Sequence, residues 1–295
     1  MKKMVKTNKS RQEWAMAIPF LVLFAIFTIV PVLSSIILSF TNFNMLEIPH
    51  FVGLQNYIRL FVEDDIFLIA VKNTLIFAFL TGPISYFASL MFAWLINELR
   101  PKLRALMTLV FYAPTIAGNV YFIWLFIFSS DAYGLANSTL MKIGITSEPI
   151  LRLQDPSYNL KIIILVQLWL SLGVGFLAFI AGLQGIDKSI YESGAIDGVK
   201  NRFQELVYLT LPSMGPMLMF GAVMQIAGSF GVGAISSALA GFPSTDYSAH
   251  TVVLHMQDYG TLRFEMGYAS AIAAVLFIVM ILTRSLITKM LAKYL

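Results

Sequence analysis

The chain contains no cysteine, which excludes a disulfide scaffold and thiolate metal sites. It is also poor in charge, at 12% Asp, Glu, Lys and Arg against 58% hydrophobic residues, which places it outside the soluble globular class. Six stretches carry no charged residue at all: 14–46, 73–97, 105–130, 162–186, 206–245 and 266–283. They also lack histidine, so a proton-coupled secondary transporter, which titrates a group inside its pathway, is disfavoured. No selectivity-filter segment supports a channel, and no paired acids or Ser and His constellation supports an intramembrane enzyme. His50, His250 and His255 lie outside the six stretches; the last two stand five apart with no HExxH pattern, so they read as surface histidines rather than metal ligands. A Gly-x4-Gly-Lys-Ser/Thr phosphate loop is missing too, so nucleotide is not bound here in the usual way.

Each charge-free stretch supplies the roughly 18 to 20 apolar residues that cross about 30 Å of hydrocarbon. The expected fold is therefore all-α, a polytopic membrane protein with six transmembrane helices. The opening MKKMVKTNKSR imitates a signal peptide, but the apolar run behind it is too long and ends in no small-residue cleavage site. Residues 1–13 then form a cytoplasmic tail and 14–295 a membrane domain. Basic residues gather at the N-terminus, at 100–104, at 188–202 and at 284–293, and the positive-inside rule puts these segments and both termini in the cytoplasm. The formal charge of +4 is thereby assigned to insertion topology and contact with membrane lipid, with no nucleic-acid partner. Facing outward are 41–67, 129–160 and 246–265, with Glu63, Asp64, Asp65, Asp131 and Asp155.

One cytoplasmic segment, YESGAIDGVKNRFQELVYLTLP at 191–212, is charged and glycine-punctuated between two apolar runs. Asp187 reads as the N-cap of a short helix ending at Gly198, and Asn201 with Gln204, at capping-box spacing, opens the next helix. Pro212 and Pro216 are expected to bend the fifth span. The short helix carries small residues, Ser193, Gly194 and Ala195, beside apolar Ile190 and Ile196 and acidic Glu192 and Asp197. Small side chains permit close approach of another surface, whereas acids fit poorly against an anionic leaflet, so a docking helix is expected at about 187–200.

This segment resembles the cytoplasmic coupling loop of ATP-binding-cassette importer permeases, through Glu192, Ile196-Asp197-Gly198 and Leu211-Pro212. Ser193-Gly194 replaces the family's Ala-Ala, and one extra residue separates Gly198 from Leu211-Pro212. FVGLQNYIRLF at 51–61, Pro114, Trp124 and YGLANSTL at 133–140 are similar to other landmarks of the carbohydrate branch, the maltose permease F-type and glycerol-phosphate permease A-type subunits. The resemblance implies a type I ABC importer permease fold in a bacterial or archaeal cytoplasmic membrane. It also implies a second permease subunit, maltose permease G-like, as heterodimer partner, an ABC ATPase dimer holding ATP and magnesium, and an extracytoplasmic solute-binding protein. The chain itself would carry no cofactor and no catalytic residue. Coupling would fall to Glu192, Ser193, Gly194, Ala195, Asp197 and Gly198.

A sugar pathway needs hydrogen-bonding and aromatic groups inside the spans. On a continuous fourth helix Gln167, Ser171 and Val174 would share one face, and on the fifth Gln225 and Ser229 would do so, flanked by Gly228; Asn119 and Tyr121 add to them from the third. The alternative is that these residues only hydrogen-bond helices to one another. With no cation inside the spans, a neutral carbohydrate fits better than a glycerol-phosphate derivative.

Overall fold

The computed structural model describes Trp14 and residues 16–294; the expected tail at 1–13 lies outside the described residues. Apart from an isolated antiparallel bridge between Thr41 and Phe51, the described residues form helices and turns. Among the described residues five helices are long and apolar enough to cross a membrane: Met16–Leu38 (α1), Asp65–Asn97 (α2), Asn159–Gln184, Gly215–Ala240 and Met266–Lys293. The expected third span is not among them. Its residues form two shorter helices, Pro101–Ile116 (α3) and Phe122–Ile127 (α4). Gly118, at φ +61°, follows the last helical turn in the left-handed conformation that ends a helix, and Pro114 one turn earlier withholds a backbone donor.

Two further apolar runs are also interrupted. The fourth breaks into Asn159–Leu170 (α5) and Val174–Gln184 (α6), and the fifth into Gly215–Phe230 (α8) and Ala234–Ala240 (α9). Between them lies the connecting helix Lys188–Ile196 (α7). The last helix, Met266–Tyr294, is α10. The bend expected from Pro212 and Pro216 falls at Met214, with each proline near the start of a helical segment, where a missing N–H is tolerated.

The chain divides into two compact units, Met1–Asp64 with Met256–Leu276 and Asp65–His255 with Phe277–Leu295. In the first, no described residue of the apolar stretch Ala25–Leu38 in α1 is buried, as suits a lipid-facing helix. Its C-terminal carbonyls are collected by the motif at 51–61. Asn56 Nδ2 donates to the Ser39 and Thr41 carbonyls, both at 2.8 Å, and the Tyr57 hydroxyl meets Ser39 Oγ at 2.7 Å. Arg59 pairs with Glu265 and lies 4.2 Å from the Tyr268 ring centre, while Tyr268 donates to Asp64 at 2.7 Å. Asp64 is thus a fastening of its own loop.

In the second unit α2, α6 and α8 pack on one another. Apolar side chains gain little from leaving lipid for protein, so close approach between small residues carries the packing. The inner face of α2 accordingly presents Thr81, Ser85, Ser89 and Ala93, all buried. A Cβ on Gly175 would sit 3.5 Å from Gly221 Cα, and one on Gly221 would overlap the Phe179 ring. Phe176, Phe179, Leu183, Met214 and Leu218 fill the space around this crossing.

Candidate functional site: a seated connecting helix and the helix breaks

Helix α7 is closed at both ends as its residues predict. Asp187 accepts from the Ser189 amide at 3.0 Å, and that hydrogen bond holds the carboxyl below the usual carboxylate range. At the other end Gly198 adopts φ +96°, and the Val199 amide returns to the Gly194 carbonyl at 2.9 Å. The following helix opens on the expected capping pair: the Gln204 amide donates to Asn201 Oδ1 at 2.8 Å, and Gln204 Oε1 accepts from the Lys200 amide at 2.9 Å. Arg202 pairs with Glu205 at 2.8 Å and with Glu98 at 3.1 Å, joining this segment to the turn after α2.

The small residues of α7 divide between two sides. Gly194 is buried, and a Cβ there would overlap Leu209 Cδ1 of the same chain; the Tyr191 hydroxyl adds a 3.2 Å contact to Thr210 Oγ1. Close packing at Gly194 therefore seats α7 on its own chain. Glu192, Ser193, Ala195, Asp197 and Gly198 are exposed, and so is Ile196, at 88%. Ile196 was not among the expected coupling residues, although an isoleucine on a short helix between apolar runs was the available signal. A cleft of about 270 Å³ beside the helix is lined by Tyr191, Ala195, Lys200, Arg202 and Glu205 among others.

The proposed pathway residues cluster at the helix breaks. Gln167 lies half-buried on α5, but Ser171 ends that helix and Val174 begins α6, so the expected single face for the three does not form. The physical reason is Gly173, whose φ −102°, ψ −141° takes the chain out of the helix. The Ser171 carbonyl accepts from Gln225 Nε2 at 3.1 Å, and Gln225 Nε2 also stands 3.4 Å from Ser89 Oγ. Thr115 Oγ1, unremarked in the sequence, is 3.2 Å from the Leu170 carbonyl and 3.0 Å from that of Leu172. At the third-span break Tyr121 donates to Asn119 Oδ1 at 2.9 Å. Ser229 is buried and donates to the Ile226 carbonyl of its own helix, whereas Gly228 is exposed with open space at its Cβ position. At the fifth-span break the Val232 carbonyl accepts from Thr251 at 2.7 Å.

Two loop expectations resolve differently. His250 and His255 are not surface residues: both are at most 2% exposed and their rings meet at 3.2 Å between Nε2 and Nδ1. Their segment is folded onto α2, where Asn73 Nδ2 donates to the Tyr247 and His250 carbonyls and the Val252 amide donates to Thr74 Oγ1. Among the described residues no three His, Asp or Glu side chains gather as a metal site. In the 133–140 motif Asn137 is fully buried and donates to the Ser129, Asp131 and Ile150 carbonyls, while Asp131 accepts from the Tyr133 and Gly134 amides.

Helices of membrane-crossing length, interrupted at glycines and joined by a capped connecting helix, define a multi-pass membrane protein in class. No protein-family model matches the chain. It is 32% identical over 286 residues to the probable ABC transporter permease protein YesP of Bacillus subtilis, covering 94% of this chain and 90% of that one. It is 34% identical over 221 residues to the lactose transport system permease protein LacF of Rhizobium radiobacter, covering 73% and 72%. The chain belongs to the ABC transporter permease family. In fold it matches a chain of the crystal structure of a bacterial alginate ABC transporter in complex with an alginate pentasaccharide-bound periplasmic protein, with a TM-score of 0.76, 23% identity, and 95% and 94% of the two chains covered.

Proposed function

We propose that this chain is one of two permease subunits of an ATP-driven importer of a neutral sugar or oligosaccharide in a bacterial or archaeal cytoplasmic membrane. The observation that carries this reading is α7, which spends Gly194 and Tyr191 on its own chain and leaves Glu192, Ser193, Ala195, Ile196, Asp197 and Gly198 free for a partner. That partner is an ATPase dimer, which binds ATP and magnesium and moves α7 as a lever. Six crossings follow if α3 and α4 together make the third, and the distribution of Lys and Arg then sets 1–13 and the C-terminus in the cytoplasm, with 14–295 as the membrane domain. The outward loops, with Asp131 and Asp155, receive a solute-binding protein. Sugar passes the broken third, fourth and fifth spans, where Asn119, Tyr121, Gln167, Ser171, Val174, Gly228 and Ser229 lie; irregular backbone at membrane depth is tolerated where it is enclosed or lines a cavity. Gln225 belongs to the same region.

A carbohydrate is supported by the lactose system and the alginate-bound complex among the similar proteins. The chain's spans supply no cation, which favours a neutral sugar over an anionic one. The test is a ligand screen on the associated binding protein, followed by uptake of the selected ligand into proteoliposomes of the whole complex. A cognate amino acid or polyamine would overturn the substrate class, and uptake at full rate without ATP would overturn the mechanism.

A further inference from the structure

The break at 171–173 carries a requirement that α-helical spans do not have. Where the helix stops, carbonyls lose their helical amide partners, and in a membrane they must find donors elsewhere in the protein. The Ser171 carbonyl accepts from the Gly173 amide at 2.8 Å and from Gln225 Nε2 of α8 at 3.1 Å, while the carbonyls of Leu170 and Leu172 both lie within reach of the Thr115 hydroxyl in the last turn of α3. Ser89 of α2 stands behind Gln225, so four helical segments meet at one polar node inside an otherwise apolar region. The close crossing of Gly175 and Gly221 lies one turn from Gln225 and keeps α8 against α6.

We infer that Thr115 and Gln225 are positioning residues of the transport cycle, a brace that fixes the fourth-span break to the third and fifth spans, and that Gln225 serves the backbone rather than the sugar. The Thr115 hydroxyl has one proton and two carbonyls within reach, so it can satisfy only one at a time. A small displacement of α3 along the break transfers that proton from one carbonyl to the other. Such an exchange makes the node a two-position contact, the kind of element on which a rigid-body transition turns. The inference rests on the importer reading and adds to it the place where movement of the spans is registered.

The natural absence of cysteine makes the test direct. Gly228→Cys places this chain's one thiol in open space one turn beyond Gln225, and its labelling by a water-soluble methanethiosulfonate is followed in the reconstituted complex with and without ATP and vanadate, read on this chain after the subunits are separated. In the parental background the two labelling rates are expected to differ. Thr115→Val, which removes the hydroxyl at nearly constant shape, is expected to shrink that ratio by about threefold to fifteenfold, the worth of one interhelical hydrogen bond in a membrane. The KM for ATP stays unchanged, and Thr115→Ser restores the ratio; a role in folding alone would instead change the amount of complex. If Thr115→Val does not assemble, Gln225→Leu is read in the same way. A parental ratio in either assembled variant, or failure of Thr115→Ser to restore it, overturns the brace. A parental complex that fails to bind an ATPase overturns the importer reading and this inference together, and it does so before any substitution is made.

Discussion

Replacing Ile196 by Asp separates docking from folding. The side chain is 88% exposed, so its loss removes no internal contact, and substitutions at such surface positions usually change stability by no more than about 0.5 kcal/mol. If α7 seats in an ATPase, Ile196 is the one large apolar group it offers outward. Burying an isoleucine contributes about 1.5 to 3 kcal/mol. At 1.4 kcal/mol per decade, Ile196→Asp is expected to weaken ATPase binding by about tenfold to a hundredfold, with desolvation of the new carboxylate adding to the loss. Binding of purified ATPase to permease in nanodiscs measures this directly. The control is Gly194→Leu, whose side chain must displace Leu209: overpacking costs about 1 to 3 kcal/mol, and here it falls on the permease's own melting temperature. Parental ATPase affinity in Ile196→Asp would refute the outward-face assignment. So would a lowered melting temperature in the same variant, because the loss of binding would then be a loss of fold.

Asn137→Ala strands the carbonyls of Ser129, Asp131 and Ile150, and is expected to destabilise the 129–153 loop by about 2 to 4 kcal/mol, seen as faster proteolytic nicking within it. For Asp187 the folded pKa lies below its unfolded value because the Ser189 amide hydrogen-bonds the carboxylate. The cap is therefore fully present above the ordinary carboxylate pKa and is lost as pH falls through the lower folded value. The protection of amides at the start of α7, measured as exchange relative to the intrinsic rate at each pH, should fall only in that acidic range, and Asp187→Asn should abolish this pH dependence of protection; an unchanged protection profile in Asp187→Asn would count against the cap. Gln167→Ala, on α5 just before the break, is expected to lower uptake of the ligand selected by the binding-protein screen while the complex still co-purifies. Uptake at the parental rate across ligand concentrations would remove Gln167 from the pathway.

How much of this was legible in the residues depends on how far apart the interacting groups stand. The start of α7 and the start of the helix after it were readable because Asp187 with Ser189, and Asn201 with Gln204, interact within a single turn. The five long spans were readable because hydropathy adds along a run. Addition along a run is also why the breaks were not: Gly118, Gly173 and Gly233 barely change the apolar sum while redirecting the backbone. The surface reading of His250 and His255 failed because Asn73 and Thr74, which draw that segment onto α2, lie more than 170 residues away. Gly194 shows a related gap, since small residues on α7 reveal that something comes close but not whether it is another protein or Leu209.

The polar residues inside the spans bring the same problem to the pathway itself. A glutamine in an apolar run can be assigned to a passing sugar only after the chain's own carbonyls have been accounted for. At 170–172 the carbonyls draw on Gln225 and Thr115, and at 232 on Thr251. In hydrocarbon an unmet backbone carbonyl is a permanent cost, whereas a sugar is present only for part of a cycle. The backbone therefore has first claim on these donors, and under the proposed importer reading the groups left for a sugar are Gln167, the Asn119 and Tyr121 pair, and the Gly228 surface where no side chain intrudes.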